Sequence, residues 1–187
     1  MALAKLTVTW GTLLLFAVAC KKERTPLEQL PAATQEGKNT GGWLLHDKAW
    51  IPKRSTLSRD PPVGGFWRKT KGGHSLAINF QQFTLQEVWG IGLFIPDIHK
   101  AGTFPLQEEP NITLGLRNTA YGLFYQRVNT PAVSYYTNPQ APGHVVITRF
   151  DTLQNIVSGT FEMTPQLDGG TTTIAITQGR FDLHFNR

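Results

Sequence analysis

Residues 143–164, GHVVITRFDTLQNIVSGTFEMT, decide the fold class. In the first half Val146, Thr148 and Phe150 share one face, with Val145, Ile147 and Arg149 on the other. In the second half Val157, Phe161 and Met163 alternate with Ser158, Thr160 and Glu162. A period of two is that of a strand with one buried face, because successive side chains of an extended chain point to opposite sides. The closing QGRFDLHFNR, residues 178–187, repeats the pattern: Phe181, Leu183 and Phe185 against Arg180, Asp182, His184 and Asn186. Between these runs, DTLQN and QLDGG carry the Asp, Asn and Gly chemistry of hairpin turns. The last third therefore predicts a meander of antiparallel strands.

Working outward, WLLHDKAWIP (43–52) predicts an opening hairpin turning at His46-Asp47-Lys48. HSLAINFQQ, QEVWGIGLFIPDI, GTFPL and TAYGLFYQRV read as further strands, with Gly90 and Gly92 marking a bulge or a close backbone approach. Eighteen glycines and twelve prolines, with frequent threonine, favour strands and turns over helices. With 40% hydrophobic residues a real core can be buried. The expected fold is all-β: an antiparallel β-sandwich or partly closed barrel of about eight to ten strands, residues 42–187. The net charge of +5 is modest and no nucleic-acid motif is present, so no nucleic-acid partner is expected.

The N-terminus departs from this grammar. Lys5 is followed by a charge-free run, Leu6 to Ala19, which is 14 residues long. That is short of the roughly 20 residues a membrane-crossing helix needs. The layout is that of a secretory signal peptide over 1–19. Ala17-Val18-Ala19-Cys20 resembles a bacterial lipobox, which implies cleavage before Cys20 and lipid attachment to its thiol. A core helix should show a polar face, and this run has no charged one. Two or more acyl chains on Cys20 would make a stable membrane anchor. Residues 20–41, polar and holding two prolines after the cysteine, read as a flexible tether.

The closing elements, GHVVITRFDTLQNIVSGTFEMT followed by TTTIAITQGRFDLHF, resemble the ending of a family of Bacteroidota-type envelope lipoproteins. WLLHDKAWIP and AGTFPL are similar to other recurrent elements of that family. The resemblance implies a lipid-anchored, all-β envelope protein and carries no catalytic residues with it. Asn155, Gly159, Phe161, Gly179 and Phe181 match the family pattern, and turn or core roles account for them. Lys21 in place of aspartate after the cysteine gives no reason to expect inner-membrane retention; an outer-membrane location is expected, with the periplasmic face and the cell surface both open.

Chemistry-bearing motifs are scarce. His46, His74, His99, His144 and His184 are scattered singly, without metal-ligand spacing, so neither metal nor cofactor is expected. There is no phosphate-cradling glycine loop and no GxSxG elbow. Glu87, Asp97, Glu108 and Glu109 could serve glycoside hydrolysis only if folding set two of them face to face. The most distinctive segment is Pro52 to Gly73, read as a long loop with six basic residues and an exposed Phe66-Trp67 pair. Phe66, Trp67, Arg68, Lys69 and Lys71 are the candidate binding residues, for an anionic glycan, lipid or envelope partner. The competing reading is a solvated loop whose Trp67 caps the core. SYYTNPQAPG is a second such loop. The expected function is non-enzymatic binding of a ligand or partner; the rivals are an envelope hydrolase and an assembly component of the outer membrane.

Overall fold

The computed structural model describes residues 23–55, 59–70, 73–108, 110, 119–128 and 131–187. Residues 1–19, expected to be a signal peptide, and Cys20 lie outside them. The deciding stretch forms β9 (Gly143–Asp151) and β10 (Ile156–Met163), and β12 (Ile176–Asn186) pairs antiparallel with β10 as the alternation predicts. The turn between β9 and β10 is held by Asp151, whose carboxylate accepts from the Leu153 and Gln154 amides and from Arg149 Nη2. Asn155 completes it at φ 56°.

Upstream come the short α1 (Pro26–Gln29), β1 (Thr40–Leu45), β2 (Lys48–Trp50), β3 (Val63–Thr70), β4 (Gly73–Phe83), β5 (Glu87–Ile95), β6 (Gly102–Leu106), β7 (Tyr121–Val128) and β8 (Val133–Tyr136); β11 (Gln166–Leu167) precedes β12. The architecture is all-β; the described residues form twelve strands, where about eight to ten were expected, in one mixed sheet curled into a half-barrel. One leaf runs β2-β1-β12-β10-β9-β6 and the other β3-β4-β5-β7-β8-β11. They join where β12 passes beside β3, Phe185 opposite Gly65 and Asn186 opposite Phe66. That pairing is parallel, which departs from the expected antiparallel arrangement.

The inside of the curl is filled. Trp43, Phe80, Phe124, Phe161, Leu76, Ile78, Ile91 and Ile147 are fully buried. Trp43 meets Phe80 and Trp89 edge-on at 5.6 and 5.4 Å, and Trp50 of β2 meets Trp89 at 4.7 Å. The opening hairpin thus packs its tryptophans against the opposite leaf. His46 and Asp47 form its two-residue turn, both left-handed (φ 48° and 58°). That conformation suits glycine and asparagine better than histidine. Replacing His46-Asp47 by Asn-Gly is expected to raise stability by about 1 kcal/mol. A higher denaturant midpoint checks it; an unchanged one contradicts it.

Two details differ from the plain alternation. The β9–β10 register skips Thr148, a bulge at which its hydroxyl donates to the Ser158 carbonyl (3.1 Å). Beyond the bulge Phe150 turns inward and packs on the core, instead of sharing a face with Val146. Gly90 is a close approach rather than a bulge: the register from β4 through β5 to β7 is unbroken there. A Cβ at Gly90 would strike the Phe80 carbonyl and the Tyr125 ring, whereas one at Gly92 would make ordinary contacts of 3.7–3.9 Å.

Part of the expected tether belongs to the domain. Asp182 points to the outer side of β12, opposite Ser158 of β10, yet is only 1% exposed because residues 34–38 cross over it. Its carboxylate accepts from Thr34 Oγ1 (2.5 Å), Ser158 Oγ (2.7 Å) and the amides of Glu36, Gly37 and Lys38 (3.0, 2.7 and 3.2 Å). Gly37 (φ 74°) and Asn39 (φ 54°) give this strap the curvature that aims successive N–H groups at one anion. Leu30, just before it, is 6% exposed, with Pro31 against Gly42. The strap thus takes the carboxylate out of water and supplies the donors that replace the water.

Candidate functional site

The basic segment singled out in the sequence is half strand. Val63 to Thr70 pairs residue for residue with β4, so Phe66, Trp67, Arg68 and Lys69 lie on β3 and not on a loop; Lys71 lies outside the described residues. Alternation then separates the four. Trp67, opposite the fully buried Leu76, faces inward, and Lys69 opposite His74 continues that face beyond the core. Phe66 and Arg68 share the other side, the Arg68 guanidinium 4.9 Å from the Phe66 ring centroid. Trp67 is therefore a core-capping residue, as the competing reading had it, and not an exposed platform. It meets Phe150 and Phe185 edge-on at 5.9 and 6.0 Å. Its indole N–H is buried without a partner among the described residues.

Around Trp67 the fold gathers basic side chains from three elements. His74 stacks on its ring at 4.3 Å. Arg187, brought alongside by the parallel β12–β3 pairing, holds its guanidinium 5.5 Å from the ring. Arg187 is itself fixed: Nε donates to Asn155 Oδ1 (2.9 Å) and Nη2 to the Thr152 carbonyl. The segment after β5 closes the third side, where the Ile98 amide donates to the His74 carbonyl (2.8 Å). There His99 contacts the Asp97 carboxylate at 2.8 Å and approaches His74 edge-on at 6.3 Å. Arg68, Lys69 and Lys100 are exposed at the surface. The result is a rim of Lys69, His74, His99 and Arg187 around a packed tryptophan, with Asp97 as its carboxylate. Such a rim can attract an anionic group; with the Trp67 ring covered by His74 and Arg187, it offers little free aromatic face for stacking a sugar.

The remaining candidates do not converge. Glu87 and Asp97 lie at opposite ends of β5, and Glu109 falls outside the described residues. Among the described residues no group of three or more His, Cys, Asp or Glu is placed to hold a metal ion. Tyr135 and Tyr136 of the second supposed loop lie on β8, with Tyr135 packed on the core 6.0 Å from Phe124, and Asn138 closes the turn that follows. An open groove of about 440 Å³ crosses the outer side of β6, β9, β10 and β12, lined by Thr103, Pro105, His144, Glu162 and Thr177 among others. His144 and Glu162 sit directly opposite one another on its floor. Sequence reasoning had no reason to select that pair, since neither residue stands in a motif.

No protein-family model, curated protein or solved structure matches the chain.

The closing motif is explained by packing. Gly159 of β10 lies opposite Phe181 of β12, and Phe161 lies opposite Gly179. Each phenyl ring covers the glycine across from it, a reciprocal arrangement that lets both rings lie flat on the sheet beneath Phe80. On the outer side, Ser158 and Asp182 of the same motif form the strap's anchor. Gly159, Phe161, Gly179 and Phe181 therefore have core roles of the kind expected of them, while the anchoring by Ser158 and Asp182 was not foreseen in the sequence.

Proposed function

We propose that this is a lipid-anchored protein of the cell envelope, attached to the outer membrane through Cys20, whose all-β domain binds an anionic partner without catalysing a reaction. The observation that carries the reading is the charge-free run ending at Ala17-Val18-Ala19-Cys20, followed at once by a polar chain. The filled interior supports binding at the surface rather than inside the curl, because Trp43, Trp50, Trp89 and Phe124 occupy the space a ligand would need. The charges of Lys69 and Arg187 on the rim support an anionic partner: an acidic glycan, an anionic lipid headgroup or an acidic face of another envelope protein. Exposed cations of this kind confer a salt-sensitive attraction and little fold stability, so they can be removed without unfolding the domain.

Replacing Lys69 and Arg187 of the rim together by alanine is expected to weaken binding to heparin, used as an anionic-glycan probe, by about 10-fold at low salt. The unmodified protein should lose the same binding as salt is raised, while the circular dichroism of the variant stays unchanged. Titration of both proteins against heparin and against phosphatidylglycerol vesicles checks this. No binding by the unmodified protein to either probe removes the proposal for the rim.

A further inference from the structure

The five histidines are scattered in the sequence, but folding brings two of them to one place. His74, in the first turn-side residues of β4, stands opposite Lys69 of β3 on the face that Trp67 also occupies. Its ring stacks on the indole at 4.3 Å, only 20° from parallel. His99 comes from the segment after β5, its side chain 62% exposed, and its ring lies 6.3 Å from that of His74. Ile98 fixes this segment: its side chain is fully buried and its amide donates to the His74 carbonyl (2.8 Å). The other three histidines lie elsewhere. His46 is in the β1–β2 turn, His144 on the floor of the outer groove, and His184 beside the strap, with Nδ1 2.8 Å from the Gly37 carbonyl.

Every element packed around the two imidazoles contributes to their electrostatic surroundings. β3 supplies Lys69, and the end of β12 supplies Arg187, which shares the Trp67 ring with His74. The segment after β5 supplies Asp97 and Lys100, with Asp97 2.8 Å from His99 and against Gly73, the neighbour of His74. Phe150 and Phe185 add only rings, and Arg68 lies on the other side of β3. Among the described residues three permanent cations thus face one carboxylate, and two imidazoles stand among them. Imidazole is the side chain that ordinarily changes charge between about pH 5 and 8. We infer that His74 and His99 make the rim's hold on an anionic partner pH-dependent, stronger at mildly acidic than at neutral pH. The inference rests on the proposed affinity of the rim for anions and adds its regulation. An anion bound across the rim relieves the repulsion among Lys69, Arg187 and two imidazoliums, so binding and proton uptake reinforce each other. The strap does not respond over the same interval, because its donors hold the Asp182 carboxyl below the ordinary value of 3.8.

The test measures heparin binding by the full chain in nonionic detergent at about pH 5.5 and about pH 7.5, at one ionic strength. The sulfate groups of heparin stay ionised at both, so a change in affinity belongs to the protein. The expected result is an affinity about tenfold higher at the acid pH. In the double variant His74→Gln, His99→Gln this ratio should fall to about threefold or less, the remainder coming from His46, His144 and His184. The ratio is taken within each protein, so a variant's absolute affinity does not enter. His99→Gln alone, at an exposed position, should give an intermediate ratio and serves if the loss of His74 from Trp67 disturbs the fold. Equal affinity at the two pH values, or a ratio unchanged in both variants, overturns the inference while leaving the rim an anion site. No binding at either pH overturns the reading of the rim, and the inference with it.

Discussion

Replacing Asp182 by alanine is expected to lower folding stability by about 3–5 kcal/mol, the range in which removing one partner leaves several buried donors without an acceptor. Three of the five donors are backbone amides of residues 36–38, which cannot turn elsewhere as hydroxyls can. The strap must then either stay down with its amides unpaired or lift off and expose the outer side of β10 and β12. Thr34→Ala, which removes a single hydroxyl donor, is expected to cost about 1 kcal/mol. Denaturant unfolding separates these two cases, and hydrogen exchange should show the amides of residues 36–38 losing protection in the Asp182 variant. A loss under about 1 kcal/mol with those amides still protected would contradict the role assigned to the carboxylate.

The same carboxylate fixes the sign of a pH dependence. Burial by itself would raise its pKa, but the donors from Thr34, Ser158, Glu36 and Gly37 outweigh burial and hold it well below the ordinary value of 3.8. A carboxyl depressed by folding contributes stability that is complete above the unfolded value and is lost as pH falls below it. The domain should therefore weaken progressively on acidification past that ordinary value. The Asp182→Ala variant should show a shallower decline over the same interval.

The second large effect concerns the glycine–phenylalanine pairs. Gly159→Ala is expected to cost about 3 kcal/mol, at the upper end for forcing volume into a packed site. The added methyl would run into the Val146 carbonyl and come within 2.8 Å of Phe181 Cζ. Because the first obstacle is backbone, it cannot be relieved by a rotamer change. Gly179→Ala meets the Phe161 carbonyl and ring at 2.6 Å and should behave alike. Gly92→Ala is the control: its contacts are ordinary, and its cost should stay within about 1 kcal/mol. Unfolding midpoints that fail to separate Gly159 and Gly179 from Gly92 would contradict the packing explanation of the motif.

What could be read before the structure follows from where the signal is local. The β9–β10–β12 meander and the His46-Asp47 turn were legible because a one-sided sheet writes its face into every second residue, and a two-residue turn needs its own chemistry. β3 was hidden because its inward positions are Val63, Gly65 and Trp67, with glycine breaking the apolar alternation and three exposed polar residues, Arg68, Lys69 and Thr70, following. The inward turn of Phe150 was hidden by the bulge at Thr148, which shifts the period by one. The strap was invisible for a different reason. Its segment has no period at all, and what holds it is one aspartate 148 residues beyond Thr34. Of the candidate site, Arg68 and Lys69 were found by charge alone. Arg187 and His74 were not, because only the parallel β12–β3 pairing and the β3–β4 register bring them to Trp67.

The anchor at Cys20 is the claim on which the proposed location depends. Its most direct test is metabolic labelling with a radiolabelled fatty acid in a bacterial host, comparing the unmodified chain with Cys20→Ala. The expected result is a labelled protein in the detergent-soluble membrane fraction, and a Cys20→Ala variant that carries no label and retains residues 1–19. An unlabelled native chain, or a Cys20→Ala variant labelled as strongly as the native one, would contradict the account.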